Sequence, residues 1–279
     1  MNKKLILSGV ILAGTLLTIV IVGFFSIRKS EFISTFIYTP FATDIEQAVH
    51  LANLAQNDDY ANGEVAVEGH VILGSEAKEK ITTVYVVSSW GWFGFENGIF
   101  TMGSGAFQIP TVIVFSQNDR GEYMVQEYRE AMDGSLYGPS IEKMFPARYF
   151  KKVIDKNSYN DELHRQMEVQ AAEYLKRIGR VARVSVPYVE KKILTDAGID
   201  VQASNTLFEI ISNNAQMNDF PYWLGTVERI EDGTRYIYET SQDKSTDGHD
   251  LVIYIKKKEN GTVVATYVYK VVGTEVLLQ

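Results

Sequence analysis

The chain is 279 residues long, with 27 Lys+Arg against 35 Asp+Glu for a formal net charge of −8, and 46% of its residues are hydrophobic. Such a balance belongs to a chain that folds. The absence of cysteine excludes disulfides, thiol nucleophiles, Cys-ligated zinc and iron–sulfur clusters. The acidic balance argues against general nucleic-acid binding, which needs basic surface to neutralise phosphates.

The N-terminus reads Met1-Asn2-Lys3-Lys4, then an uncharged run that starts at Leu5 and ends at Ile27, then Arg28-Lys29. About 20 helical residues cross a hydrocarbon core, so the run is long enough to span. It exceeds a signal-peptide apolar region and has no small-x-small site before the basic pair. The expectation is an uncleaved transmembrane helix over residues 1–29, with the membrane as partner through Leu5 to Ile27. Lys3 and Lys4 stay inside, and the C-terminal part lies outside the cytoplasm as a single-pass protein. The first 29 positions hold four basic and no acidic residues. The remainder is therefore more acidic than the whole chain.

Residues 30–42 read as a spacer. Thr43-Asp44 then forms a helix N-cap, and Ile45, Ala48, Val49 and Ala52 share one face of a helix that runs to about Gln56. Four β-like runs follow, over 64–73, 80–90, 109–116 and 122–130. Asn97-Gly98 and Asn118-Asp119-Arg120-Gly121 serve as hairpin turns. Then the period changes to helical over 140–145, 147–155 and 160–178, with Gly179 as a C′ residue. A further short helix is expected over 188–197, stopped by Gly198. From 205 the runs of Tyr, Ile and Val between Gly turns read as a strand meander. The fold class is α+β: an N-terminal transmembrane helix, an antiparallel sheet with packed helices, then a β-rich C-terminal meander. The expected division is 43–200 and 201–279, with one continuous domain as the alternative.

Several constellations bear on chemistry. His50 follows Glu46, and His164 precedes Glu168, by one helical turn. Both read as surface ion pairs, because no H-E-x-x-H motif is present for zinc. Asp243, Ser245 and Asp247, followed by Gly248, resemble the start of a calcium loop. Tyr254 stands where the bidentate Glu belongs, so a polar hairpin loop is the competing reading. Ser140-Ile-Glu-Lys143 matches S-x-x-K, but so does Ser75-Glu-Ala-Lys78, and no K-T-G follows. Ser140 reads as a helix N-cap. The aromatic stretch Trp90, Trp92, Phe93 and Phe95, interleaved with Gly91 and Gly94, is either a ligand-stacking platform or core. No cofactor is expected.

Five segments together are similar to extracytoplasmic regions attached to antirepressor-type membrane metallopeptidases of Gram-positive bacteria, relatives of the β-lactam sensors. They are Val67-Glu-Gly-His-Val-Ile-Leu-Gly74, Phe93-Gly-Phe-Glu-Asn-Gly-Ile-Phe100, Ile109-Pro-Thr-Val-Ile-Val-Phe115, Met132-Asp-Gly-Ser-Leu-Tyr137 leading to Ser140-Ile-Glu-Lys-Met-Phe-Pro146, and Phe220-Pro-Tyr-Trp-Leu-Gly-Thr-Val-Glu-Arg-Ile-Glu-Asp-Gly233. The peptidase's multi-helix membrane part, its zinc motif and the penicillin-binding sensor domain have no counterpart in this sequence, so no catalytic residue carries over. The resemblance implies an outward-facing sensory or accessory module without catalysis, acting with a separate membrane signalling protein. The alternative function is a cell-envelope hydrolase using a carboxylate pair drawn from Glu127, Glu130 and Asp133.

Overall fold

The computed structural model describes residues 42–56, 63–155 and 158–279. The transmembrane helix and nearly all of the spacer expected before residue 42 lie outside the described residues. The described residues form one compact unit. Its architecture is α+β, a mostly antiparallel sheet with five α-helices.

The first helix, α1 (Ile45–Ala55), starts where Asp44 Oδ1 accepts from Gln47 N at 2.8 Å, and it buries Ala48, Val49, Ala52 and Asn53. A meander follows: β1 (Val65–Lys78), β2 (Ile81–Glu96), β3 (Ile99–Gln117) and β4 (Tyr123–Glu130). Next come α2 (Tyr137–Met144), α3 (Ala147–Ile154) and α4 (Asn160–Arg177). Two-residue strands β5 (Val184–Ser185) and β6 (Lys192–Ile193) precede α5 (Val201–Asn213). The chain ends in a second meander: β7 (Trp223–Glu231), β8 (Thr234–Lys244), β9 (Asp250–Lys258), β10 (Val263–Val272) and β11 (Glu275–Leu278).

The strand order is β11-β10-β9-β8-β7-β2-β3-β4, with β1 paired to β2, β5 to β3 and β6 to β7. The two meanders meet at one register pair, Glu96 with Val227. Helices cover the sheet in patches. Val84, Val86, Ile113 and Phe115 lie under α1, and Phe93, Phe95 and Phe100 pack with Met167, Ala171 and Leu175 of α4. Tyr85 and Val112 meet Ile141 and Phe145 of the α2 region, and the second meander packs on Ala203, Leu207 and Ile211 of α5.

Three local expectations are corrected. Residues 188–197 hold β6 and a 3₁₀ turn, Leu194–Ala197, rather than a helix. The helix lies after Gly198 instead: Asp200 Oδ1 accepts from Gln202 N and Ala203 N, and the i, i+4, i+8 positions 203, 207 and 211 are buried. Ser140 is not a cap; α2 begins at Tyr137, and the Ser140 hydroxyl accepts from Met132 N and donates to Tyr137 O.

The junction of the meanders depends on a glycine. Asn97 occupies the left-handed region in the Asn97-Gly98 turn, donates its N–H to Thr226 O at 2.9 Å, and accepts Thr226 N on Oδ1 at 2.8 Å. Gly225 has φ +151, and a Cβ there would lie 1.9 Å from Asn97 Oδ1. Gly225→Ala is expected to displace Asn97 and to cost about 2–4 kcal/mol, combining backbone strain with lost hydrogen bonds. The midpoint of urea unfolding measures that loss; an unchanged midpoint contradicts it.

Candidate functional site

Between α1 and the sheet lies a polar cluster in an otherwise apolar layer. In β1, Glu68 and His70 are two residues apart and share a face. They lie opposite Trp90 and Ser88 of β2. From α1, Glu46, His50 and Asn53 fall at i, i+4 and i+7, one helical stripe. The two sets meet.

Glu68 is 2% exposed. Its Oε1 accepts from His50 Nδ1 at 2.6 Å, and its Oε2 from Asn53 Nδ2 at 2.8 Å and His70 Nδ1 at 3.0 Å. On the far side of the His70 ring, Nε2 lies 2.9 Å from Glu46 Oε2. The Tyr128 hydroxyl of β4 donates to Asn53 Oδ1 at 2.9 Å. The network thus runs from exposed Glu46 through His70, Glu68 and Asn53 to Tyr128. Burial pushes the Glu68 carboxyl up, but hydrogen bonds from His50 and His70 and the charge on the rings overcome it and hold the group at about 2. For His70, burial disfavours the charge. The Glu68 and Glu46 carboxylates outweigh burial, so its pKa lies above the usual imidazole range.

Helix α4 fixes β1 from its free edge. Gln170 accepts Glu68 N at 3.3 Å and donates to Glu68 O at 2.6 Å. Gln166 accepts His70 N at 2.8 Å and donates to His70 O at 3.0 Å. Two amide side chains therefore replace a neighbouring strand at the residues that carry the cluster. Gly69 between them permits the approach, since a Cβ there would sit 2.9 Å from Leu163 O.

The sign of the pH effect follows from the two shifts. Glu68 titrates lower in the folded chain, so its contribution is complete above its ordinary 4.5 and is lost as pH falls through about 2. His70 titrates higher, so its contribution is complete below its ordinary 6.5 and is lost as pH rises through the raised value. The cluster is expected to stabilise most between pH 4.5 and 6.5. The urea midpoint followed from pH 4 to 9 tests this, with Glu68→Gln expected to flatten the alkaline decline.

A second ionic cluster fastens the two meanders together. Arg235 of β8 makes a two-pronged contact with Glu64, just before β1, and bonds Glu228 of β7 at 2.9 Å. Arg180 also pairs with Glu228 and lies over the Phe95 ring at 3.8 Å. The Tyr174 hydroxyl of α4 bonds Glu64 at 3.0 Å.

The residues singled out from sequence are dispersed. Phe93 and Phe95 are buried under α4, and Trp90 is buried beside the first cluster. Trp92 is half-buried. Bulges after Ser88 and Trp92 break the simple alternation. Asp243 is next to last in β8, while Ser245 and Asp247 lie in the β8–β9 turn. There Ser245 Oγ donates to Asp247 Oδ1 at 2.6 Å, and Asp247 pairs with Lys270 of β10. Lys270 holds Asp247 down at about 2. Among the described residues no three His, Asp or Glu side chains converge as metal ligands. Glu127 is exposed and pairs with Arg129 at 3.0 Å, on the strand face opposite Tyr128 and Glu130. Burial raises Glu130, the neighbouring Trp90 ring N–H dipole opposes it, and the Asp133 charge adds to the rise.

His50 is corrected: its partner is buried Glu68, not Glu46. His164 packs against Phe107 with the rings tilted and their centroids 4.6 Å apart, and Glu168 accepts Val186 N at 3.2 Å. Glu68 and His70 were hidden because Val65, Val67 and Val71 suggested one buried face with polar residues outward. Glu-Gly-His on a strand, together with the Glu46, His50, Asn53 stripe, is the signal that marks them.

No protein-family model matches the chain, and no curated protein and no solved structure matches it.

Proposed function

We propose that the chain is a membrane-anchored, extracytoplasmic sensory or accessory binding module without catalysis, akin to the outer regions of antirepressor-type membrane metallopeptidases. The run from Leu5 to Ile27 is its single span, and a separate membrane signalling protein is its partner. One observation carries this reading. The first helix among the described residues, α1, is fastened to the sheet through the ionisable cluster of Glu46, His50, Glu68 and His70 as well as through apolar contact. A joint of that kind changes strength with its surroundings, as a relay at a membrane requires. Among the described residues no helix is long and apolar enough to cross a bilayer, and the proposed span lies outside them.

The test is fractionation of the full-length chain with reporters fused to its C-terminus. Recovery in membranes resistant to alkaline washing, with the C-terminus outside, supports the reading. Recovery in the cytosol, or an inward C-terminus, overturns it. Turnover of wall glycans, peptides or phosphoesters at enzyme-like rates overturns the non-catalytic part. The carboxylate-pair hydrolase then becomes the better account, with Glu130 and Asp133 as the pair, because burial and the Asp133 charge both favour a protonated Glu130. Glu130→Gln would abolish such turnover.

A further inference from the structure

Both ring nitrogens of His70 face carboxylate oxygens, Nδ1 toward Glu68 at 3.0 Å and Nε2 toward Glu46 at 2.9 Å. An ionised carboxylate only accepts hydrogen bonds, so both nitrogens must donate, and only imidazolium has two N–H groups. The ring is 9% exposed and belongs to β1, whereas Glu46 is 68% exposed and belongs to α1. The other groups around it leave that assignment intact. From α1, His50 donates to Glu68 rather than to His70. Strand β2 presents Ser88 and Trp90, which do not titrate. Strand β4 presents Tyr128, bonded to Asn53, and beyond it Glu130. From α4, Gln166 bonds the His70 backbone, and the carboxylate beside it, Glu162, is held by Arg165 and Gln166.

We propose that His70, donating at once to Glu68 and Glu46, is a proton-operated latch that fixes α1 to β1, and that alkalinisation releases it. Loss of one proton leaves a neutral ring that donates to one carboxylate and turns a lone pair toward the other. Two negative groups, one of them buried, then face each other across an uncharged ring. The helix loosened is the one joined in sequence to the N-terminal segment. This names the signal for the sensory reading above and rests on that reading for its role. The latch itself does not need the anchor.

The experiment uses the full chain in detergent micelles, labelled with ¹⁵N-histidine. Near pH 6, both His70 nitrogens are expected to carry protons; a bare nitrogen there overturns the latch. Amide-exchange protection, corrected for intrinsic rates, is expected to fall at least tenfold for residues 45–55 as pH rises from 6 to 10, while β8 and β9 hold theirs. His70→Gln should abolish the change. Glu46→Gln, at an exposed position that leaves folding intact, should shift its midpoint down by roughly half a pH unit, the scale of an exposed charge pair. A drop that persists in His70→Gln, a midpoint unmoved in Glu46→Gln, or an equal loss throughout β7–β11 overturns the proposal. Failure of the anchor reading appears separately in the fractionation and leaves these measurements unaffected.

Discussion

Replacing Glu68 with Ala is expected to lower the free energy of unfolding at pH 6 by about 3–5 kcal/mol, the cost of breaking a buried ion pair by removing one partner. The substitution strands three donors at once: His50 Nδ1, His70 Nδ1 and Asn53 Nδ2. It also leaves His70 with Glu46 as its sole carboxylate, at the rim. Folded domains are stable by only about 5–15 kcal/mol, so the loss is a large fraction and the urea midpoint reports it directly. Glu68→Gln keeps the shape but brings an amide donor against groups that already donate, and is expected to lose about half as much. The interaction is cooperative. In a Glu68→Ala background, His70→Ala should cost far less than in the natural chain, because its main partner is gone. Equal costs in the two backgrounds would show that the ring and the carboxylate act independently.

The same cluster shows what a sequence conceals. Hairpin turns, the first four strands and α4 are legible because each rests on neighbours along the chain: Asn97-Gly98, the Val and Tyr alternation, the stripe of Leu163, Met167 and Ala171. The apolar stripe Ala203, Leu207, Ile211 is equally present, but the runs of Tyr, Ile and Val between the Gly turns beyond favour a strand reading from 205. Long-range pairing is a different matter. Alternation says that Glu68 points away from Val67, yet it does not say that a second layer, α1, covers that side as well. Only when β1 is enclosed by α1 on one face and α4 on the other does an outward-looking Glu become a buried anion. The aromatic run leaves a platform and a core both open by composition. In the fold β2 is flanked by β1 and β3 and covered by helices, which places Phe93 and Phe95 inside.

Arg235→Ala is the second substitution expected to have a large effect, again about 3–5 kcal/mol, and its consequence is architectural. The two meanders share a single register pair and the Asn97–Thr226 bonds beside it, while Lys191, just before β6, contacts Glu96 at 2.8 Å. Arg235 spans that junction by binding Glu64 at the entrance to β1 and Glu228 in β7, with its guanidinium over the Phe95 ring at 5.3 Å. Glu64 is 3% exposed. Removing the guanidinium therefore leaves Glu64 without its main counter-ion, while Glu228 keeps Arg180. The two carboxylates on either side of Arg235 hold its guanidinium charged against the cost of burial. Lysine cannot substitute, since a single ammonium does not reproduce the forked contact to both carboxylates; Arg235→Lys is expected to recover less than half of the loss. Because the contact joins the meanders, the variant should also unfold less cooperatively. Amide exchange in β8–β10 should quicken before exchange in β1–β3, whereas the natural chain protects both together. Uniform exchange in Arg235→Ala would mean that the single strand pair and the Asn97 turn suffice to hold the sheet as one body.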